Sequence, residues 1–484
     1  MKLSCLLKAL PEAVVTGDPH IEVRKIECDS RRTTEGDLFV AVRGFQTDGH
    51  NFIDEALAKG ARAVVLEQEG FSQKVTLVKV PDSRKALAIL SDEFYGHPSQ
   101  KMRLVGITGT NGKTTVSLLV REVFEGAGIK TGLIGTINYQ VGDQSRAADR
   151  TTPESLDLNR MLAEMLSFGQ QAAVVEVSSH ALALDRTYGV TFNTAVFTNL
   201  SRDHLDFHRT YEQYLKAKGK LFSNLDHSTG AKAVINIDDP ASEQIIHWTK
   251  TPVLTYGFSS KAMIYPLDFK LDWKGMKLLV KTPEGELRVK TNLKGKFNIT
   301  NILAAIGVGF VNGLGLRLIG EAIGNVRRIP GRFEQIDYGQ PFSITVDYAH
   351  TPVALEALLG AVKELTSGRV ILVFGCGGDR DRGKRPLMGK VASKMADICF
   401  VTSDNPRNED PDEIINQITA GMNKRAYQVV PDRKEAIASA LKIARRTDAV
   451  IIAGKGHENY QIIGDRTISF DDRLVVREIL QTEL

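Results

Sequence analysis

The stretch Gly106-Ile-Thr-Gly-Thr-Asn-Gly-Lys-Thr-Thr115 lies between an apolar run, RLVGIT, and a helical pattern, TVSLLVREVFEGAG, and it limits the possible folds more than any other segment. A buried strand that turns through glycines into a helix points backbone N–H groups and the helix dipole at an anion. Such a unit belongs to a parallel sheet covered by helices. Gly112-Lys113-Thr114 at the helix start distinguishes a phosphate-binding loop from a plain connecting turn. The spacing departs from GxxxxGK[ST], because its first glycine would fall at Ile107. Gly109, Thr110, Asn111, Gly112 and Thr115 are expected to line the phosphates, with Lys113 stabilising the transferred phosphoryl group and the Thr114 hydroxyl ligating Mg²⁺.

Strand and helix patterns alternate on either side of this loop. DLFVAV, FIDEALAKG, ARAVVLE and RKALAILSDEFYG read as a small α/β domain that ends near His97-Pro98. TGLIGTI, ESLDLNRMLAEMLSFG, AAVVEVS and TAVFTNL continue the central α/β unit. FKLDWKGMKLLVKTPEGELRVKTNL reads as an antiparallel patch turning at Pro-Glu-Gly and attached to the parallel core. After Ile329-Pro330-Gly331-Arg332, the segments SITVDYA, RVILVFGCGG, DICFVTS and AVIIAGKGH form a third α/β series. The expected architecture is α/β in three domains, 1–98, 99–331 and 332–484, as the length of 484 residues also suggests. The central domain is a P-loop, doubly wound, mostly parallel sheet; the small N-terminal domain is α/β, and the C-terminal one is Rossmann-like.

Charge narrows the partners. With 62 basic and 58 acidic residues, the net +4 offers no footprint for a nucleic acid, and any nucleotide bound is a small molecule. Cys5, Cys28, Cys376 and Cys399 form no CxxC pair and suggest neither disulfides nor a zinc site. The N-terminal MKLSCLLKALPEAVV suits an opening helix better than a signal peptide, and no apolar run is long enough to span a bilayer. A cytoplasmic, monomeric protein without a membrane partner is expected.

The form GTNGKTT resembles the nucleotide loop of the Mur ligase superfamily, which also includes folylpolyglutamate synthetases. Ordered blocks along the whole chain resemble the branch that adds the third peptide residue, the UDP-N-acetylmuramoyl-tripeptide synthetases: DSRR (29–32), TTPES (151–155), EVSSHAL (176–182), NLSRDHLDFH (199–208), YEQYLKAKGKLF (211–222), GRFE (331–334), DYAHTP (347–352), GCGGDRDRGKRPLMG (375–389), SDNPR (403–407) and AGKGHE (453–458). The resemblance implies ATP-dependent, ADP-forming amide ligation in peptidoglycan synthesis. An acyl phosphate would form on the D-glutamate carboxylate of UDP-MurNAc-L-Ala-D-Glu and be attacked by the amine of meso-diaminopimelate.

It also implies roles for particular residues. Taken alone, Glu176 reads as an N-cap partner and His204 as a satisfied polar tip; the resemblance makes both Mg²⁺ ligands, with His204 also catalytic. Lys218, otherwise one solvated lysine among Lys216, Lys218 and Lys220, aligns with a lysine carbamylated by CO₂ to N6-carboxylysine, a negatively charged side chain with oxygen ligands for the metal. That reaction needs a neutral amine, which desolvation favours. Asn298, Asn301, Arg332, Asp347 and His350 fall where the family contacts ATP, Arg332 offering a planar fork for phosphates. Read locally, Asn298 is the N-cap of the helix ITNILAAIG. Ser30, Thr151, Thr152, Ser178 and Arg186 would contact the UDP-linked substrate, whereas Leu184 stands where some relatives carry glutamine.

The added amino acid would be read by Arg380, Asp404, Asn405, Pro406, Arg407, Gly454 and Glu458. The intact Asp404-Asn405-Pro406-Arg407 implies a diaminopimelate-adding member, its arginine gripping the distal carboxylate and Glu458 the distal ammonium. Pro406 also shapes a turn there. Two alternatives stand beside this reading. One is a lysine-adding or folylpolyglutamate-type ligase, disfavoured by Arg407 and by TTPES respectively. The other is a P-loop switch that hydrolyses ATP without ligation.

Overall fold

A computed structural model of the chain describes residues 1–44, 47–68, 75–423 and 427–482. It divides into two compact units: Met1–Thr108 with Ile129–Ala195 and Ala217–Lys232, and Gly109–Gly128 with Val196–Lys216 and Ala233–Leu484. Among the described residues, no helix is long and apolar enough to cross a membrane.

The first unit opens on a five-stranded sheet ordered Val14–Thr16, Thr76–Lys79, Ala63–Leu66, Leu38–Val40, Ile26–Glu27. Its strands are parallel except Val14–Thr16. Helix Ser83–Phe94, capped by the Asp82 carboxylate on the Lys85 N–H, buries Leu87 and Leu90 with Leu38, Val65 and Val78. To this unit an eight-stranded sheet contributes, side by side, Arg103–Thr108, Ala172–Glu176, Thr131–Ile134, Asn138–Val141 and Gln144–Ala147. Arg103–Thr108, Ala172–Glu176 and Thr131–Ile134 pair in parallel and are almost wholly buried, as their unbroken apolar runs require. The last two strands are antiparallel. Sequence patterning missed them, because Gln144–Ala147 is mostly exposed and carries no apolar alternation.

In the second unit the antiparallel run forms a separate three-stranded sheet, Tyr265–Asp272, Gly275–Thr282 and Gly285–Thr291, turning through Pro283-Glu284 as read. It packs on helix Leu316–Asn325 and is attached to the parallel strand Val253–Tyr256 through Ile264, which bridges Tyr256 in parallel just before the first strand. Helix Phe297–Val311 begins before Asn298, so the expected N-cap role is corrected: the cap position is Lys296. Gly295, at φ +83°, makes the turn that lets the helix start early; the Asn298 side chain instead donates back to the Lys294 carbonyl at 2.7 Å.

The remaining sheet of this unit is ordered Glu334–Ile336, Ser343–Asp347, Ala449–Ala453, Val370–Phe374, Ile398–Val401, Tyr427–Val429, parallel but for its first strand. Ala449–Ala453 lies between Ser343–Asp347 and Val370–Phe374, so strand order reverses there. Open α/β sheets bind ligands at the carboxyl ends beside such a switch. DYAH, GCGGDR, DNPR and GKGHE all leave the sheet at those ends.

Candidate active site

The phosphate loop is built by its glycines and by the segment that follows strand Thr194–Phe197. Gly112 has φ +87°, and a Cβ there would strike the Asn301 Oδ1 atom; at Gly109, φ +150°, one would strike the Thr198 hydroxyl. The Asn111 N–H donates to Asn199 Oδ1 at 2.9 Å, and Thr198 Oγ1 donates to the Asn111 carbonyl at 2.7 Å. The Thr110 hydroxyl meets the buried Tyr214 hydroxyl at 3.1 Å and accepts the Ser201 N–H at 3.0 Å. Helix Lys113–Gly126 starts at the loop, burying Thr114 and Thr115. Lys113 Nζ donates to the Gly109 and Thr110 carbonyls, both at 2.9 Å, which fixes its ammonium across the loop. Asn199 has no local sequence signal beyond its place directly after an apolar strand.

Several of the residues expected at ATP converge here. Arg332 donates to Thr114 Oγ1 at 3.2 Å and stacks over the Tyr348 ring, 4.4 Å from its centroid. Asn301 Nδ2 donates to Asn298 Oδ1 at 2.8 Å, and both are buried. Asp347 accepts the Phe333 and Ala349 N–H groups at 2.6 and 2.7 Å, so it shapes the segment carrying Arg332. Burial pushes the Asp347 carboxyl up, against the lowering influence of Arg332. His350 Nδ1 meets the Tyr348 carbonyl at 2.7 Å, and its Nε2 lies 3.7 Å from Asp203. Asp203 also lies 3.4 Å from His204 Nε2 and 3.7 Å from Lys384. His204 takes a left-handed φ of +54°, unfavourable for a side chain outside glycine and asparagine, where it leads into Leu205–His208. Asp203 and Lys384 are buried charges inside quoted blocks, and the sequence reading passed over both.

In the first unit the substrate-side residues gather at the end of strand Ala172–Glu176. Thr152 Oγ1 donates to the Glu176 carbonyl at 2.7 Å and to Ser178 Oγ at 3.2 Å. Ser178 caps helix Ser179–Ala183, which ends at Leu184. Arg186 donates to the Thr152 carbonyl at 3.1 Å and pairs with Glu154 at 3.0 Å; burial pushes its guanidinium down, against the raising influence of Glu154. Thr151 Oγ1 is 3.1 Å from Thr136 Oγ1. The buried Glu176 carboxylate accepts the Thr136 N–H at 3.0 Å and its hydroxyl at 2.9 Å. Lys218, far from being solvated, is 1% exposed, while Lys220 pairs with Asp185 at 3.1 Å. Ser30 donates to Glu55 at 2.8 Å, apart from the threonine group. Among the described residues no three His, Cys, Asp or Glu side chains are grouped to hold a metal ion.

The amino-acid residues do converge. Arg407, at φ +53°, donates to the Gly378 carbonyl at 2.8 Å, and Arg380 lies near enough to depress its guanidinium further after burial has done so. Asn405 Nδ2 donates to Glu458 Oε2 at 2.8 Å, and Gln461 holds the Asp404 carbonyl at 2.7 Å. A Cβ on Gly454 would lie 2.5 Å from Asp404 Oδ2. Behind these loops the fully buried Arg433 binds Asp472 through two 2.8 Å contacts and the Ala453 carbonyl at 3.1 Å.

Arg385, also buried, braces the GCGG turn. It donates to both Glu409 oxygens at 2.9 Å and to the Gly377 carbonyl at 3.1 Å. The Arg385 hydrogen bonds hold the Glu409 carboxyl at about 2, below its ordinary 4.5. A depressed carboxylate stabilises the fold fully above the ordinary value, and the stabilisation is lost as pH falls through the folded value. Urea unfolding of wild type and Glu409→Gln should therefore diverge at neutral pH and approach each other between about 4.5 and about 2, the wild type losing roughly 3 kcal/mol relative to the variant. Parallel curves across that window would show that the pair contributes nothing.

Comparison with known proteins agrees with the geometry. The family model described as Mur ligase family, catalytic domain, matches residues 22–95; Mur ligase middle domain matches 107–309; and Mur ligase, glutamate ligase domain, matches 331–456. The chain is similar to the UDP-N-acetylmuramoyl-L-alanyl-D-glutamate--2,6-diaminopimelate ligases of Geobacillus thermodenitrificans, 46% identical, and Geobacillus kaustophilus, 47% identical, each over 483 residues and 99% of both chains. A solved structure of a ligase of that name is 32% identical with a TM-score of 0.70, over 99% of each chain. MurF from Thermotoga maritima in complex with ADP, 20% identical, shares the fold with a TM-score of 0.65 over 95% of this chain and 96% of its own. A glycine loop braced by Asn199, two arginines brought together at the carboxyl ends of a second sheet and full-length similarity lead to one conclusion: the chain belongs to the Mur ligase family.

Proposed function

We propose that this protein is an ATP-dependent, ADP-forming ligase that joins meso-diaminopimelate to the D-glutamate carboxylate of UDP-MurNAc-L-Ala-D-Glu. The observation that carries the reading is the gathering of Arg407, Arg380, Asn405 and Glu458 at the carboxyl ends of one sheet, in a chain similar end to end to ligases named for that reaction. The domains are 1–98 for the UDP substrate, 99–331 for ATP and 332–484 for the amino acid. The enzyme works as a cytoplasmic monomer on small molecules.

A carboxylate is a poor acceptor for an amine because its leaving group would be oxide. Transfer of the γ-phosphoryl group to it gives an acyl phosphate; the amine then adds to the carbonyl, and phosphate leaves as the amide forms. Lys113 and Arg332, joined through the loop and Thr114, place cations where charge builds on the transferred group. Thr152, Ser178 and Arg186 hold the UDP-linked substrate with Ser30 and Thr151, and Asn298, Asn301, Asp347 and His350 complete the ATP site. Thr114 and His204 in the second unit, and Glu176 and Lys218 in the first, would each offer a ligand to Mg²⁺, which when bound offsets the negative charge of the phosphates. Lys218 would serve a hard cation once its buried amine has added CO₂, releasing a proton and gaining two oxygen donors.

Phosphate release should require both UDP-MurNAc-L-Ala-D-Glu and meso-diaminopimelate. Release independent of an amino acid would instead identify an ATPase switch. Arg407→Ala should lower kcat/KM for diaminopimelate roughly 30-fold to several-thousand-fold, the equivalent of about 2–5 kcal/mol for truncating one partner of a buried charged contact. L-Lysine should change little or gain, since it has no carboxylate for the guanidinium. An unchanged ratio of the two amino acids would reduce DNPR to a turn.

A further inference from the structure

Lys455 is a cation buried beside the residues expected to read the amino acid, its side chain 0% exposed, and the proposed reaction gives it no role. Its ammonium donates to Glu458 Oε2 at 3.1 Å and Asn405 Oδ1 at 3.2 Å, and lies 5.5 Å from the centroid of the Tyr460 ring. Glu458 is thus no isolated anion: Oε2 takes donors from Lys455 and Asn405, while Oε1 faces the Tyr348 hydroxyl at 3.5 Å. The other carboxylate nearby, Asp404, is buried under the field of Lys455 and Arg433.

We infer that Lys455 is a specificity-determining residue: it cancels the charge of Glu458, leaving the guanidinium groups of Arg380 and Arg407 to dominate the pocket, which therefore accepts a distal end bearing ammonium and carboxylate together and rejects one bearing an ammonium alone. The inference rests on the function proposed above. The attraction of Glu458 for a ligand ammonium is opposed by the neighbouring Lys455, and the two nearly cancel at similar distances. An amino acid ending in a lone ammonium would lose its hydration without net compensation. One that also carries a carboxylate recovers that loss at Arg407.

Lys455→Gln tests this, because it keeps a donor for Glu458 and Asn405 while removing the charge. It should shift the L-lysine to diaminopimelate ratio of kcat/KM toward lysine by about tenfold or more, with KM for ATP unchanged, and Lys455→Arg should keep the wild-type preference. If Lys455 is merely structural, Gln will lower both amino acids alike; an unchanged ratio overturns the inference. Lys455→Gln/Glu458→Gln removes both charges of the pair and leaves Asp404 with Arg433, so it remains informative should the single variant unfold. The double variant should show no lysine gain, since the uncovered carboxylate is what would attract lysine, and a gain that persists in it also overturns the inference. Wild-type phosphate release that needs no amino acid would refute the proposed function, whereas an unchanged ratio in an active ligase refutes only the role of Lys455.

Discussion

Lys113→Ala should lower ligation by about 10²-fold or more, the range seen when a preorganised electrostatic group is removed. The ammonium is pinned by two carbonyls of its own loop, at 2.9 Å each, so its position is set before any phosphate arrives. Truncation leaves the loop glycines and the Asn199 brace in place, and the loss should fall on kcat rather than on folding. Thermal unfolding and single-turnover ADP formation would separate the two. A variant that folds normally and turns over near the wild-type rate would remove the phosphate loop from the chemistry.

Lys218→Ala should be nearly inactive, and short carboxylic acids at about millimolar concentration or above should partly restore it by providing the oxygen donors that the carbamate provides. At 1% exposure, Lys218 occupies a place where an ordinary surface lysine would be costly to keep. Alanine also removes buried methylenes, so stability should fall by roughly 2–5 kcal/mol, as in other core truncations. Acetate cannot repair that packing loss, and rescue of rate without rescue of melting temperature would isolate the chemical role. Absence of rescue, together with an unmodified Lys218 remote from metal in a nucleotide-bound crystal, would overturn the carbamate.

The sequence made the parallel strands legible because both of their faces are buried and their apolar runs are continuous. It concealed the Asn138–Val141 and Gln144–Ala147 hairpin, whose side chains are largely polar. The start of helix Phe297–Val311 was misplaced because Gly295 turns the backbone earlier than the polar Asn298 suggested. Local pattern singles out Lys113, which sits in a motif with its own chemistry, whereas Arg407 reads locally as part of a turn and is singled out by resemblance. Pattern cannot reveal Lys218, Lys455 or Asp203, whose importance lies in burial, and burial of one lysine among several depends on packing distant in the chain.

The loops that hold Arg380 and Arg407 are fitted to each other at the backbone. The Gly378 N–H donates to the Asn405 carbonyl at 2.9 Å, a Cβ on Gly378 would strike the Pro406 carbonyl, and one on Gly377 would lie 2.8 Å from an Arg407 nitrogen. Neither loop can be grafted alone. A chimera that imports the 404–407 segment of a relative with another amino-acid preference, while keeping 375–380, should lose activity wherever the imported main chain departs from this fit to Gly377 and Gly378. Recombination between such genes should therefore succeed only where its crossover points carry both segments together.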